Sequence, residues 1–193
     1  MTKDNSQVIS GINLKTLYGI CQLTSVGLSM EQMRDWFDNK PLSNVTRTDI
    51  EQFQRVYGAW NESLNDLDGY PVCCQLEKRI LSMLGKYKEQ QNEYVQRGHL
   101  DAMYKMMHQS MWSAVTTYVT SMITYKPYPD AMGTLCILIC NRILLGYGRI
   151  IFLDEMRAAE YRGLFSDALK TGDPVRVLGF IQSCTVTIGK MIE

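Results

Sequence analysis

The stretch SMITYKPYPDAMGTLCILICNRILLGYG, residues 121–148, decides the fold. Pro127, Pro129 and Asp130 make a turn, Gly133 and Thr134 follow, and from Leu135 to Leu145 the chain is apolar except at Asn141 and Arg142. A helix that is apolar on nearly every side has to be buried, so residues 133–145 are expected to form a central helix that the others wrap. The turn delivers a loop onto the front of that helix. The first backbone N–H groups of a helix have no partner within it and the helix dipole favours negative charge there, so this is a place where a protein can hold an anion.

Working outward, the rest of the chain reads as helices with clear punctuation. Ser29 precedes Gln32 by three residues in SMEQMRDWF, and Thr48 precedes Glu51 by three in TDIEQFQRVYGAWNESL, which is the capping-box spacing in both cases. NDLDGYP is a turn. Val72 to about Arg97 carries apolar residues at helical spacing among many charges and predicts one long amphipathic helix ended by Gly98. His99 to about Thr124 repeats apolar residues at Leu100, Met103, Met107, Met111 and Ala114, and its methionines are expected to fill core. After the central helix, RIIFL is extended, Asp154 is a cap for a helix to about Lys170 ended by Gly172, and Asp173 and Pro174 open a last helix to the C-terminus. The expectation is an all-α single domain: leading helices 7–64, a long helix 72–97, core helices 99–145 with a motif turn at 126–134, and C-terminal helices 154–192.

Composition narrows the class. At 193 residues the chain can bury a sizeable core without staples. Twenty Lys and Arg balance 20 Asp and Glu with a pI near 6.7, so no positive field draws it to nucleic acid or to an anionic membrane. The apolar run is too short to cross a bilayer, and MTKDNSQVIS lacks the layout of a signal peptide, which points to a soluble, cytoplasmic chain. The six cysteines form neither a CxxC pair nor a disulfide ladder. Cys136 and Cys140 share a helix face and could share a metal, but neither His99 nor His108 is near them in sequence, and buried reduced thiols are the expectation.

With these residues in view, the chain resembles the Fic/Doc (Fido) domain family. NRILLGYGRIIFLDEMRAAEYRGLFSDALKTGDPVRVLGFIQSC is similar to that family's motif helix, its Gly-Tyr turn, a Glu-x-Tyr-x-x-x-Leu helix, a Gly-Asp break and a closing helix. LSMEQMRDWFDNK and IEQFQRVYGAWNESL are similar to its leading helices. The family signature HPFxxGNGR falls on KPYPDAMGT, residues 126–134. Pro127 and Gly133 match, Tyr128 is aromatic in place of Phe, and Asp130 falls where family members often carry the acidic residue that holds a divalent metal. The resemblance implies that the signature His deprotonates a target hydroxyl so that it attacks a nucleotide phosphate, while the Arg neutralises the phosphates. Lys126 and Thr134 stand at those two positions.

These replacements change the chemistry. A lysine ammonium is mostly protonated at neutral pH and cannot take a proton without a large shift. Thr134 offers one hydroxyl where an arginine fork would make charge-assisted bonds to phosphate. Ala131 and Met132 fill the space of the Gly-Asn pair whose backbone wraps the anion. The family's inhibitory Ser/Thr-x-x-x-Glu motif has no counterpart in LTSVGLSMEQ, and flap residues are not found between Gly69 and His99 except for a short candidate around Asp68 to Val72. The resemblance therefore implies a degenerate Fic-fold protein that has lost AMP transfer and works by binding a protein, with no cofactor expected. The rival is a non-standard transferase that holds ATP or another nucleotide with Mg²⁺ on the turn, using Lys126 as phosphate clamp, Asp130 as metal ligand, and Gly133 and Thr134 as cradle. Each residue also has a plainer reading: Lys126 as a surface lysine, Asp130 as a helix cap, and His108 as a structural or surface histidine. Oligomer formation and export as an effector stay open.

Overall fold

The computed structural model describes residues 14–65, 72, 74–88 and 92–188. Among them are nine helices and one two-stranded ribbon: α1 (14–23), α2 (Met30–Phe37), α3 (Arg47–Leu64), α4 (Cys74–Met83), α5 (Glu93–Met106), α6 (Met111–Tyr125), α7 (Met132–Leu145), β1 (Arg149–Ile151), α8 (Glu155–Thr171), α9 (Val175–Cys184) and β2 (Thr185–Thr187). No described helix is long and apolar enough to cross a membrane. The all-α reading holds.

α7 is the axis. Leu135 through Cys140 are fully buried, and α3, α4, α6 and β1 all pack on this helix. Each such leucine or isoleucine removed from water contributes about 1.5–3 kcal/mol, so apolar residues on every side tie α7 to neighbours on every side. Its two polar residues secure other elements. Asn141 Oδ1 accepts the Ile151 N–H at 2.8 Å and anchors β1. Arg142 is buried as well, and its Nη1 donates to the Ser63 and Asn65 carbonyls at 2.8 and 2.7 Å. These lie at the end of α3, where carbonyls lack helical partners and the dipole favours a cation.

Several boundaries differ from the sequence reading. α2 begins with the expected capping box of Ser29 and Gln32. α3 begins two residues earlier than expected, because Thr46 with Asp49, and not Thr48 with Glu51, forms the box. The long helix 72–97 is two helices. α4 stops at Met83 and Gly85 takes φ +67, a left-handed turn that glycine reaches without steric cost. Gly98 does not end a helix but lies inside α5, where a Cβ would stand 2.3 Å from the Tyr125 ring, so glycine there permits the close approach of α6. The expected helix 99–124 likewise breaks between Met106 and Met111. Met103 and Met106 are core, whereas Met107 is 46% exposed.

Asp154 caps α8 through the Arg157 N–H, and Gly172 ends it at φ +77. The last helix stops at Cys184, and β2 then pairs antiparallel with β1, Ile150 opposite Val186. Residues 68–71 of the short flap candidate at 68–72, the start of the leading helices at 7–13 and the end of the chain at 189–193 lie outside the described residues.

Candidate functional site at the head of the central helix

The turn before α7 runs from Lys126 to Ala131. Both ends take left-handed backbone, Lys126 at φ +47 and Ala131 at φ +57. Lys126 closes α6 as its C-cap and is exposed; it lines neither of the clefts described below. Pro127 and Tyr128 turn inward and are buried. Asp130 does not cap α7: the N-cap is Ala131, and no side chain bonds the first turn. Instead its carboxylate pairs with Lys88 Nζ at 3.0 Å.

Two clefts flank this uncapped helix head. One, of about 390 Å³, is lined by Arg55, Lys86, Asp130, Ala131 and Thr134 among others. The other, of about 270 Å³, is lined by Gly133, Thr134, Arg162, Phe165 and Ser166 among others. Thr134 belongs to both and is 6% exposed. Gly133 packs under the aromatic pair of α8: its carbonyl accepts from Tyr161 Oη at 3.1 Å, and a Cβ would stand 3.4 Å from the Phe165 ring. Of the four sequence candidates, the structure brings Asp130, Gly133 and Thr134 to the clefts and leaves Lys126 outside.

Chemically, this arrangement can receive an anion. Free helix-head N–H groups, a hydroxyl and the cations Arg55, Lys86 and Arg162 surround it. It is poorly equipped to move a proton. Neither cleft is lined by a histidine, and the carboxylate of Asp130 already serves Lys88. Sequence reasoning missed all three cations, because they come from α3, from the loop after α4 and from α8, and nothing in their local pattern aims them at the turn.

Directly behind the turn is a second polar cluster, also missed. Glu77 of α4 is fully buried. Its carboxylate accepts from Tyr118 Oη at 2.6 Å and Tyr128 Oη at 2.9 Å, and His99 Nε2 lies 2.9 Å away. The other ring nitrogen of His99, Nδ1, faces Ser121 Oγ at 2.7 Å. Burial first, and the Glu77 charge second, push the hydroxyls of Tyr118 and Tyr128 well above their ordinary titration range. The signal was in the sequence: Glu77 falls in phase with Ile80, Leu81 and Leu84, and His99 with Met103 and Met106, on what are otherwise apolar faces. His108, by contrast, is exposed in the turn after α5 beside the Tyr104 ring. Cys136 and Cys140 are fully buried on α7, and their mutual hydrogen bond and burial raise the Cys140 thiol well above its usual range.

No family model matches the sequence, and no curated protein matches it. Solved structures do match. A Fic-domain-containing signaling protein from Bacteroides thetaiotaomicron superposes with a TM-score of 0.73 at 13% identity, over 100% of this chain and 90% of that one. Fic-1 from C. elegans gives 0.70 at 14% identity, over 100% and 66%. A Fic family protein from Desulfovibrio desulfuricans gives 0.67 at 11% identity, over 100% and 75%. Similarity of this extent, on a helical body organised around a buried helix with the turn at its head, identifies the architecture: the chain has the Fic (Fido) fold.

Proposed function

We propose that this chain is a Fic-fold pseudoenzyme that does not transfer AMP and acts by binding a protein. The observation that carries the reading is the lining of the clefts at the head of α7, which offers cations and a hydroxyl but no histidine and does not include Lys126, the C-cap of α6. Loss of a positioned general base alone costs on the order of a hundredfold or more in rate. A protein partner is favoured by α5 and its C-cap, which expose Leu100, Tyr104 and Met107 at 52%, 66% and 46%, the spacing at which a helix presents anchors to another surface. The test is incubation with labelled ATP and Mg²⁺, alone and with cell extract. No labelled product is expected, and transfer by the purified chain that is lost on removal of Lys126 or Asp130 would sink the reading. A photo-crosslinker at Tyr104 is expected to trap a discrete partner that Leu100→Glu abolishes.

A second reading is favoured by the placement of Arg55, Lys86 and Thr134 around the uncapped helix head: the protein holds a nucleotide or other phosphorylated ligand without turning it over. Thermal unfolding with millimolar nucleotides and Mg²⁺ tests it. A ligand at about a hundred times its dissociation constant adds roughly 2.7 kcal/mol and raises the midpoint by several degrees. Under this reading Arg55→Ala removes the shift.

A further inference from the structure

Cys74 and Glu77 lie three residues apart on α4 and so share a face, which looks onto His99 of α5. One ligand atom from each, a sulfur, a carboxylate oxygen and an imidazole nitrogen, lies within 4.8 Å of the other two. We propose that Cys74, Glu77 and His99 form a binding site for a zinc ion, with a fourth position open to solvent or a small ligand.

Four observations support the assignment. The donor set is the one a borderline ion accepts, whereas Mg²⁺ and Ca²⁺ require oxygen throughout. Charge balances: thiolate and carboxylate together neutralise a dication, so the filled site adds no net charge to a region where Glu77 and His99 are 0% and 2% exposed. Two of the donors are already oriented from behind, His99 by Ser121 Oγ on its far nitrogen and Glu77 by Tyr118 Oη, which is how ligating imidazoles and carboxylates are normally held. Finally, a cavity of about 120 Å³ touches Cys74, His99, Lys78, Gln96 and Tyr128 and supplies both a route in and room for a fourth ligand.

Little has to move. Bonds of about 2.0–2.3 Å place neighbouring donors of a tetrahedral ion roughly 3.3–3.7 Å apart, so a separation within 4.8 Å closes by at most about 1.5 Å. His99 Nε2 is 2.9 Å from Glu77 Oε2 in the metal-free arrangement, and the ion replaces the hydrogen between them. Cys74 gives up its thiol proton to solvent, the proton on His99 Nε2 leaves as the ion binds, and the neutral ring carries its one proton on Nδ1, donating it to Ser121 Oγ. The ion then joins α4 to α5 directly beneath Tyr128, and so fixes the turn that leads into α7.

The test uses the full chain stripped with chelator, then titrated with Co²⁺ as a spectroscopic stand-in and with Zn²⁺ in competition with a chromophoric chelator. Expected are one equivalent of either ion, an intense thiolate-to-cobalt charge-transfer band and the visible bands of a tetrahedral centre. Cys74→Ser removes the charge-transfer band and weakens Zn²⁺ by at least about a hundredfold, while Ser121→Ala keeps the band and weakens Zn²⁺ roughly 10- to 100-fold. Cys74 makes no part of the tyrosine bonds to Glu77, so its variant should keep the wild-type circular dichroism, which separates lost ligation from lost folding. Substoichiometric binding, a cobalt spectrum without the thiolate band, or wild-type affinity in Cys74→Ser overturns the site.

Discussion

Two polar regions meet at Tyr128 and obey different rules. In front, the turn and the head of α7 are open: the Lys88 and Asp130 side chains are 68% and 44% exposed, the helix is uncapped, and cations arrive from distant elements. Behind, the Glu77 cluster is closed, with the carboxylate engaged by His99 and two tyrosines. Water can replace a partner throughout the first region, whereas in the second it reaches only the Cys74–His99 edge that meets the small cavity, and Glu77 itself is 0% exposed. The open region can therefore lose its chemistry residue by residue at little cost to the fold, while each member of the closed one is held by the burial of the others.

The largest effect that could break this contrast is Glu77→Ala. It leaves a buried imidazole and two hydroxyls without their acceptor, and should destabilise by about 3–5 kcal/mol in urea unfolding. A cost below about 1 kcal/mol would mean that the cluster holds nothing. Tyr128→Phe tests the link between the regions, since it removes one bond to a buried carboxylate and should cost about 1.5–3 kcal/mol. Alkaline pH acts on the same bonds. Tyr118 and Tyr128 titrate higher in the folded chain than the ordinary value near 10, so above that pH the unfolded state gives up protons that the folded state keeps. Stability from these groups is complete below about pH 10 and falls as pH rises, by up to about 1.4 kcal/mol per pH unit for each tyrosine. Unfolding followed from pH 9 to 11 should show the loss, with a shallower slope in Tyr128→Phe. The smallest effect belongs to the open side: Asp130→Asn breaks an exposed ion pair and should change stability by less than about 1 kcal/mol.

The legible parts of the fold were those in which one local pattern has one outcome. The apolar run of α7, the Ser29 box and the Asp154 cap are of this kind. The start of α3 was misplaced because Thr46 and Thr48 each have an acidic residue three positions on, and local spacing does not say which box forms. Residues 72–97 keep helical periodicity throughout, and the break at Gly85 and the crowding of Gly98 by Tyr125 arise only when helices meet. The same division holds for the site. Asp130, Gly133 and Thr134 could be placed together from the sequence because they lie on one motif turn, and the clefts are lined by them. Arg55, Lys86 and Arg162 converge from three separate elements. Glu77 and His99 announced themselves only as charged or titratable residues in apolar phase, a signal that says buried without saying with whom.

Ala131 has a further consequence. It stands where the Fic signature has its first glycine, and its backbone remains at φ +57, a conformation that costs a residue with a Cβ about 1–2 kcal/mol. The loop takes a shape for which glycine, and not alanine, is the suited residue. Ala131→Gly would therefore relieve strain and leave the backbone path unchanged, so an experimenter writing the signature's letters into this turn would begin with a step that is downhill in energy.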